Sequence, residues 1–252
     1  MTLLITGGAS GIGAATAKLA AERGHKVAIN YRSRDAQVKK VVADIVAKGG
    51  QAVALPGDVS READIVKLFD AAEKALGPVT HLVNSAGIGL TARVADFDAA
   101  ALERLFTVNT VGLMLCCREA ARRMSTKRGG KGGVVVNVSS MAGTIGGRPG
   151  ASAYAASKAA VDSFTMGFAK DVALEGIRAV SLRPGMIETE MTEKTLSDRS
   201  AREAIESTIA MGRVGQAQEI ANAIVWLLSD EASFISGVTI DASGGGFVFG
   251  KR

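Results

Sequence analysis

The chain has 252 residues, of which 47% are hydrophobic and 22% charged, and this balance excludes an intrinsically disordered or fibrous protein. Its net charge of +5 raises the question of nucleic-acid binding, but aromatic residues make up only 4% of the chain and the charges are spread along it. We interpret the densest basic patch as a solvated helix end rather than a nucleic-acid surface; it contains Arg118, Arg122, Arg123, Lys127, Arg128 and Lys131.

Strand-like and helix-like segments alternate along the whole chain. The predicted strands, which are almost continuously apolar, are residues 3–6, 26–31, 52–55, 81–84, 134–138, 178–182 and 238–241. The predicted helices between them are residues 12–23, 36–48, 62–76, 99–124, 153–175 and 218–228. Such alternation predicts an α/β protein with a three-layer, doubly wound (Rossmann) fold. Because Pro is scarce, at 4 residues, and no low-complexity linker divides the chain, we predict one domain over residues 1–252.

A glycine-rich turn follows the first predicted strand and leads into the first predicted helix. It reads T-G-x-x-x-G-x-G, from Thr6 through Gly7 and Gly11 to Gly13, and so departs from the G-x-G-x-x-G spacing of many dinucleotide sites. Glycines let the backbone approach a phosphate, and a new helix points free N–H groups at the anion. The turn therefore predicts a phosphate site, with an ordinary glycine-rich connection as the alternative.

Tyr154 and Lys158 are four residues apart in the predicted helix 153–175, so they share one helix face. A nearby ammonium favours the phenolate, and we therefore expect Lys158 to lower the pKa of Tyr154. A phenol of this kind donates or accepts a proton in catalysis. The alternative is a surface Tyr that packs against a Lys stem.

These two motifs, together with others in the same chain order, resemble the short-chain dehydrogenase/reductase family in its compact form. The resemblance covers essentially the whole chain. The other matching pieces are Asp58-Val59, Asn84-Ser85-Ala86-Gly87, Asn109, Ser139-Ser140 and Pro184-Gly185-Met186-Ile187-Glu188-Thr189. Several of them follow predicted parallel strands, whose carboxyl ends bind ligands, so we expect them to converge at one edge of a mostly parallel, seven-stranded sheet.

The resemblance implies hydride transfer between a nicotinamide and a carbonyl or alcohol carbon. In the family pattern Tyr154 is the general acid or base, Lys158 lowers its pKa and binds the nicotinamide ribose, and Ser140 holds the substrate oxygen. Asn109 supports a water that refills the proton. Ser139 in place of Ser140, and Asn109 as a residue that caps or kinks its helix, remain alternatives.

The resemblance also implies a set of cofactor-binding residues. They are Gly7, Ser10, Gly11, Ile12, Gly13, Tyr31, Arg32, Asp58, Val59, Asn84, Ala86, Gly87, Tyr154, Lys158, Pro184, Gly185, Ile187 and Thr189.

The end of the second predicted strand indicates which cofactor is preferred. Tyr31 stands where NAD enzymes of this family usually place an acid, and the planar guanidinium of Arg32 next to it suits a 2′-phosphate. NADP(H) is therefore favoured, with NAD(H) as the alternative, although Ser10 stands where some NADP enzymes of the family carry a basic residue. Asp58 resembles the aspartate that meets the adenine ring, or it caps the following helix.

The segment at about 190–212 is expected to cover the substrate, but its polar composition names none. The chain is similar to 3-oxoacyl-[acyl-carrier-protein] reductases and to sugar or polyol dehydrogenases of this family. Lys127, Arg128 and Lys131 favour the carrier-protein reading and Glu175 opposes it, so that activity stays an alternative. A non-catalytic NADP-binding regulator is a further alternative.

The remaining residues give little support to other chemistry. His25 and His81 are expected to be exposed, so no metal site is predicted, and the adjacent thiols of Cys116 and Cys117 suit a reduced protein and packing in a core or interface. We expect no membrane span and no leader, and hence a cytoplasmic location.

Self-association is expected from the family resemblance. The resemblance implies a homotetramer formed through helices 99–124 and 153–175. The apolar residues 247–249 are expected to pack against a neighbouring subunit. Residues 245–251 match only the first part of a P-loop pattern, because the Ser or Thr is missing.

Overall fold

Seven parallel strands form the central sheet in the computed structural model, which describes residues 1–246. The strands of this sheet are β1 (Thr2–Thr6), β2 (Lys26–Tyr31), β3 (Gln51–Pro56), β4 (Val79–Asn84), β5 (Gly133–Val138), β6 (Ile177–Pro184) and β9 (Thr239–Ala242). Two further short strands, β7 (Ile187–Glu188) and β8 (Gly215–Gln216), form a separate two-stranded sheet. The expectations for residues 247–249 and for the end of the P-loop-like stretch lie outside the described residues.

Helices lie between the strands. They are α1 (Gly11–Glu22), α2 (Asp35–Ala47), α3 (Glu62–Leu76), α4 (Ala99–Phe106), α5 (Leu113–Met124), α6 (Ala142–Ile145), α7 (Ser152–Val172), α8 (Glu193–Leu196), α9 (Arg199–Glu206) and α10 (Ala217–Leu228). The strand order is β3-β2-β1-β4-β5-β6-β9, and every described pair is parallel. The order reverses between β1 and β4, which is where ligands bind in doubly wound sheets. The predicted fold class is confirmed.

The core consists of two apolar layers, one on each face of the sheet. Side chains alternate along β1, so that Leu3 and Ile5 enter the layer that contains α1 and α10, while Leu4 enters the layer that contains α3, α5 and α7. Burial on both faces explains why the strands are almost continuously apolar. Cys116 and Cys117 are fully buried free thiols in the second layer, so their expected packing in the core is confirmed.

The predicted helix 99–124 is not a uniform α-helix. Residues Thr107–Gly112 between α4 and α5 adopt π-helical geometry, and Asn109 lies within this segment with its side chain fully buried. Contrary to the expectation from the sequence, Ala99–Met124 is long and apolar enough by itself to pass a test for a membrane span. Since core helices of water-soluble proteins pass the same test and α5 packs against β4 and β5, we interpret it as a core helix.

The expectation that both histidines are exposed is wrong. His25 and His81 are 9% and 3% exposed, and their rings meet edge to face with centroids 5.1 Å apart. His81 Nε2 lies 3.2 Å from the carbonyl oxygen of Leu228, and its Nδ1 lies 2.8 Å from the hydroxyl of Thr80. Because a carbonyl only accepts, Nε2 carries the proton. Burial, with the charge of His25, lowers the pKa of His81 to about 4.

Four residues of the basic patch are exposed, as predicted for a solvated face, namely Arg122, Lys127, Arg128 and Lys131, but half of the patch also pairs with acids. Arg118, Arg122 and Arg123 all pair with the buried carboxylate of Glu119. Arg123 also reaches acidic side chains of α3, at 2.7 and 2.8 Å. The patch thus ties α5 to α3.

Candidate active site

A cavity of about 710 Å³ lies at the carboxyl edge of the sheet, where the strand order reverses. The segments that follow β1, β2, β3, β4, β5 and β6 all contribute to its wall. The residues expected at the site that line it are Gly7, Ser10, Gly11, Ile12, Tyr31, Arg32, Asp58, Val59, Ala86, Gly87, Ser140, Tyr154, Lys158, Pro184, Gly185, Ile187 and Thr189. The structure therefore brings most of the predicted set together in one cavity.

Residues larger than glycine would not fit at two positions of the glycine turn. Gly7 has φ of +67°, and a Cβ there would lie 2.7 Å from Cα of Ala86, in the loop after β4. A Cβ on Gly13 would lie 2.5 Å from the carbonyl oxygen of Gly7. The hydroxyl of Thr6 also accepts hydrogen bonds from the N–H groups of Ser85 and Ala86, at 3.2 Å each. These contacts pack the two loops at the switch point directly against each other.

The first turn of α1 suits the pyrophosphate of a dinucleotide. Ser10 is the N-cap residue, yet no side chain within the described residues caps this helix. Its first N–H groups therefore lack a side-chain acceptor, and the helix dipole favours an anion at the same place. Both the absent cap and the glycines of the turn, which have no Cβ, fit a dinucleotide at this end of the cavity.

The opposite wall, around β2 and β3, suits an adenosine. The hydroxyl of Tyr31 donates to the carboxylate of Asp35 at 2.8 Å, while Arg32 lines the cavity and has no anionic partner within residues 1–246. Although burial raises the pKa of Asp58, hydrogen bonds from Ser60 and Arg104 outweigh it and hold that pKa at about 2. Asp58 therefore stays ionised and fixed, but it does not cap α3, whose N-cap is Arg61.

Ser140, Tyr154 and Lys158 meet on the wall between β5 and α7. Lys158 is 5% exposed, and its ammonium donates to the carbonyl of Val138 at 2.9 Å. Its Nζ lies 5.9 Å from the centre of the Tyr154 ring, as the spacing on one helix face predicts. The hydroxyl of Ser140 lies close enough to the phenol of Tyr154 to act on its pKa. An acid, a cation and a hydroxyl thus share a small, largely desolvated region.

The expected effect of Lys158 on Tyr154 is not found. Burial raises the pKa of Tyr154, and the hydroxyl of Ser140 offsets only part of that rise. Burial also lowers the pKa of Lys158 to about 8, against a smaller opposing effect of Asp162. The reason is desolvation, which disfavours both charged forms and which spacing along a helix does not reveal.

The two adjacent serines differ in what their hydroxyls contact. The Ser139 hydroxyl is buried and donates to the carbonyl of Lys158 at 2.9 Å, so it fastens β5 to α7. The Ser140 hydroxyl accepts from the N–H of Ala142 at 3.1 Å and faces Tyr154. The geometry therefore favours Ser140 over Ser139 as the hydroxyl available to a ligand.

Asn109 lies behind the cavity wall rather than in it. Its amide oxygen accepts from the N–H of Ile88 at 2.8 Å, and its amide nitrogen donates to the carbonyl of Ile88 and the hydroxyl of Ser157. A Cβ on Gly87 would lie 3.4 Å from this amide and 3.5 Å from Nζ of Lys158. The π-helical turn thus aims Asn109 at the loop that separates it from Lys158.

Asn84 and Gly13 also lie outside the cavity lining. The amide of Asn84 points into the core, where it donates to Asn137 at 2.9 Å and contacts the thiol of Cys117. A direct side-chain contact from Asn84 to a cofactor is therefore not supported by its position. The reason is that Asn137, on the neighbouring strand β5, is a polar partner for this amide. The sequence around residue 84 gives no sign of that partner.

The part of the cavity beyond Ser140 and Tyr154 was not anticipated from the sequence. The lining residues Leu90, Met141, Ile145, Met186 and Met191 are apolar, and they line the cavity together with Arg148. Arg104 and Glu190 line the cavity as well. No motif signals Arg104, whereas the run Gly146-Gly147-Arg148-Pro149-Gly150 marks a tight turn just before the helix of Tyr154.

The segment at 190–212 contributes only its first residues to the cavity wall, namely Glu190, Met191 and Thr192. Glu190 lies 3.8 Å from Arg34, and its carboxylate is 3.5 Å from where a Cβ on Gly11 would be. The rest forms α8 and α9, whose residues Leu196 and Ile205 are buried in a small apolar cluster of their own.

Known proteins of similar sequence and structure are oxidoreductases. The sequence profile of the family described as enoyl-(acyl carrier protein) reductase matches residues 7–246. The uncharacterized oxidoreductase YgfF of Escherichia coli (strain K12) is 44% identical over 243 residues, which cover 96% of this chain and 98% of that protein. L-Rhamnose 1-dehydrogenase (NAD(P)(+)) of Sphingomonas sp. (strain SKA58) is 36% identical over 247 residues, which cover 98% and 96%. The crystal structure of a dehydrogenase/reductase from Sinorhizobium meliloti 1021 matches with a TM-score of 0.88 at 33% identity, covering 97% of this chain and 94% of that one.

Proposed function

Because the chain belongs to the short-chain dehydrogenase/reductase family and is an oxidoreductase of that type, we propose that it interconverts a carbonyl and a secondary alcohol by NADP(H)-dependent hydride transfer. One observation carries the proposal: Tyr154, Ser140 and Lys158 share the cavity whose other end is the glycine turn. The glycine turn alone would bind a dinucleotide without transferring a proton, and the three side chains alone would transfer a proton without binding a dinucleotide.

The residues of the chain have separate tasks in this reaction. A nicotinamide ring bound beside them would supply or accept the hydride. In the reductive direction the phenol of Tyr154, which its raised pKa keeps protonated at neutral pH, donates its proton to the substrate oxygen. Ser140 orients that oxygen through its hydroxyl, and the ammonium of Lys158 stabilises the phenolate that remains. Asn109 holds the loop of Gly87 and Ile88 in place.

The proposed preference for NADP(H) rests on the charges at the end of β2. Arg32 offers an unpaired guanidinium to a 2′-phosphate, and Tyr31 occupies the position of the expected acid. We expect Arg32→Ala to weaken NADPH binding about tenfold or more, and NADH binding less than about twofold, since a charge-assisted hydrogen bond is lost only with the former. Calorimetric titration of both cofactors measures this, and equal losses would contradict the preference.

The decisive experiment is a screen of ketones and aldehydes that follows NADPH and NADH oxidation side by side. The matched variant is Tyr154→Phe, which removes the acidic proton and keeps the ring. We expect it to lose about a hundredfold or more in turnover, the usual range for a general acid, while NADPH still binds. Unchanged turnover would refute the role of Tyr154, and tight NADPH binding without turnover of any carbonyl would favour a non-catalytic regulator.

Reduction of 3-oxoacyl groups on acyl carrier protein is the second candidate. The description of the matching family profile names an acyl carrier protein, and Lys127, Arg128 and Lys131 offer positive charge near the end of α5. If this candidate is right, a carrier-bound 3-oxoacyl substrate will be reduced with a far higher kcat/KM than the free acid. Reversal of the three charges will then raise KM for the carrier-bound substrate alone.

We also propose that the protein forms a homotetramer through the helical runs 99–124 and 152–175. Large apolar side chains are exposed on them, with Val111 at 47%, Met166 at 40% and Leu174 at 85%. Such residues are covered in many oligomers. Sedimentation equilibrium at micromolar concentration tests this, and a monomer would contradict it.

A further inference from the structure

We propose that Arg148 binds an anionic oxygen group of the substrate, so that this site takes carbonyl compounds with an apolar body and a carboxylate or phosphate. The inference deepens the proposed function and rests on it. It concerns the end of the cavity beyond Tyr154, for which the sequence motifs name no ligand.

The charges that line the cavity leave Arg148 without a partner. Asp58 pairs with Arg104, and Glu190 pairs with Arg34. Lys158 donates to a backbone carbonyl. Within the described residues, three lining cations lack an acidic partner, namely Arg32, Arg148 and Lys158. Of these, only the guanidiniums of Arg32 and Arg148 also lack any protein acceptor, and two separate anionic groups would match them.

The two guanidiniums belong to different ends of the cavity. Arg32 follows β2, at the end expected to hold adenosine. Arg148 lies in the connection between β5 and α7, which begins with Ser140 and leads into Tyr154. A cofactor phosphate therefore accounts for Arg32, whereas the neighbours of Arg148 are the residues that would hold the reacting carbonyl.

The turn that carries Arg148 is built to hold it in one place. Gly147 and Gly150 have φ of +78° and +85°, and Pro149 restricts the backbone of Arg148 to extended conformations. The carbonyl of Arg148 accepts from the N–H of Ala151 at 2.8 Å, and that of Gly150 accepts from Ala92 at 2.9 Å. Both ends of the turn are thus fastened, one to the start of α7 and the other to the loop after β4.

The surroundings of Arg148 favour an anion that has an apolar body. Ile145 and Met191 line the same region and are 44% and 59% exposed, which leaves apolar surface for a ligand to cover. Although much of the Arg148 side chain is exposed, burial lowers the pKa of its guanidinium, and no acid within residues 1–246 compensates this desolvation. A bound carboxylate or phosphate does so through paired N–H donors.

The test compares methyl-ketone carboxylates of increasing chain length with their methyl esters, and glycerone phosphate with glycerone. Two measurements are made on each pair: kcat/KM with NADPH, and binding to the protein saturated with NADP+, in which no carbonyl is reduced. The variants are Arg148→Gln, Arg148→Lys and, as a matched control, Arg93→Gln at an exposed arginine of the loop after β4 that does not line the cavity.

We expect the acids to bind and react at least about tenfold better than the esters, and Arg148→Gln to abolish that difference while the esters change less than about twofold. Arg148→Lys retains part of the difference and Arg93→Gln all of it. Preference for the ketone carboxylates or for glycerone phosphate identifies the anion.

Two failures can be told apart. If acids and esters react alike and Arg148→Gln changes neither, the inference is overturned and the proposed function stands. If the anions bind in an Arg148-dependent way and no carbonyl is reduced, the proposed function fails and the anion site stands.

Discussion

At the scale of single residues, desolvation rather than spacing sets the protonation of the proposed catalytic pair. Tyr154 and Lys158 lie on one helix face as their separation predicts, but the ammonium donates to Val138 instead of the phenol. Each group is consequently held closer to its neutral form. Desolvated ionisable groups of this kind lower the stability of the folded state, and they are typical of catalytic sites.

This leads to a prediction for Lys158→Met. Because burial lowers the pKa of Lys158 to about 8, the charged form destabilises the folded state below pH 8, and this cost disappears as the pH rises from 8 to about 10.5, where the unfolded chain also loses the proton. We expect the variant to have a larger free energy of unfolding than the wild type at pH 7, by about 1–3 kcal/mol, and no such gain at high pH.

Urea unfolding at pH 7 and at high pH, followed by circular dichroism, measures the effect. Lys170→Met on the exposed side of α7 is the matched control, since an exposed ammonium carries no desolvation cost and its removal gives no pH-dependent gain. A variant equally destabilised at both pH values would show that the buried charge is not the cause.

At the scale of elements, the π-helical turn between α4 and α5 connects the two ends of the cavity. It places Asn109 against the loop of Gly87 and, three residues later, brings Gly112 against the backbone of Val59. Val59 lines the adenosine end of the cavity. A single irregular turn therefore sets the position of loops that belong to β3 and β4.

Substitution of Gly112 tests this arrangement. A Cβ at this position would overlap the carbonyl oxygen of Val59 and lie 3.1 Å from that of Thr107. We expect Gly112→Ala to lower the free energy of unfolding by about 1–3 kcal/mol, as overpacking does, and to weaken dinucleotide binding because the loop of Val59 is displaced. Chemical unfolding and calorimetry measure the two effects.

Glu103→Ala, at an exposed position of α4, serves as the control and should change stability by less than about 0.5 kcal/mol. If Gly112→Ala unfolded like the control and bound the dinucleotide normally, close packing at this turn would not matter.

Elements with strong local signals were predictable from the sequence, and those that depend on distant partners were not. The strand Lys26–Tyr31 and the helix Glu62–Leu76 have the predicted bounds, because the strand is an almost continuous apolar run and the helix has a strong apolar periodicity. The π-helical turn keeps the same apolar pattern as an α-helix and so left no signal. Two short helices, α8 and α9, lie in a polar segment where a single buried residue in each is too few to show a period.

The site divides in the same way. Gly7 and Ser140 could be placed at the cavity because each lies within two residues after a predicted strand. Asn84 ends a predicted strand at the same edge, yet its amide turns to Asn137, 53 residues later in the chain. Arg148 belongs to no motif, and its proposed role rests on the absence of an acidic partner within residues 1–246.

At the scale of the whole molecule, the proposed catalytic residues and the buried histidines lie at opposite edges of the sheet. The carboxyl edge holds the cavity, and the amino edge holds the buried pair His25 and His81. The N-terminal ammonium and Arg178 also lie near His81 and disfavour its protonated form, whereas its hydrogen bond with the Leu228 carbonyl opposes the shift. Acidification is therefore expected to destabilise the protein at the amino edge, away from the proposed catalytic residues.

We expect stability to fall on acidification because of this pair. Both histidines have lowered pKa values in the folded state, so between pH 6.5 and about 4 the unfolded chain binds more protons, and the folded state loses stability as the pH falls. His81 alone accounts for about 2 kcal/mol between pH 7 and pH 5. Urea unfolding at the two pH values, followed by the fluorescence of Trp226, the single tryptophan, measures the loss.

The comparison is with His81→Gln, which retains a donor toward the Leu228 carbonyl but does not titrate. Between pH 7 and pH 5, its free energy of unfolding should fall by about 2 kcal/mol less than that of the wild type. Parallel pH profiles for the two proteins would exclude His81 as the source.

The position of Glu190 beside Gly11 has a consequence for how a dinucleotide enters. The chain presents a carboxylate of its own next to the helix end that suits a pyrophosphate, and Arg34 holds that carboxylate from the other side. We expect a dinucleotide that binds here to place its pyrophosphate close to this carboxylate, so that repulsion between the two anions lowers its affinity.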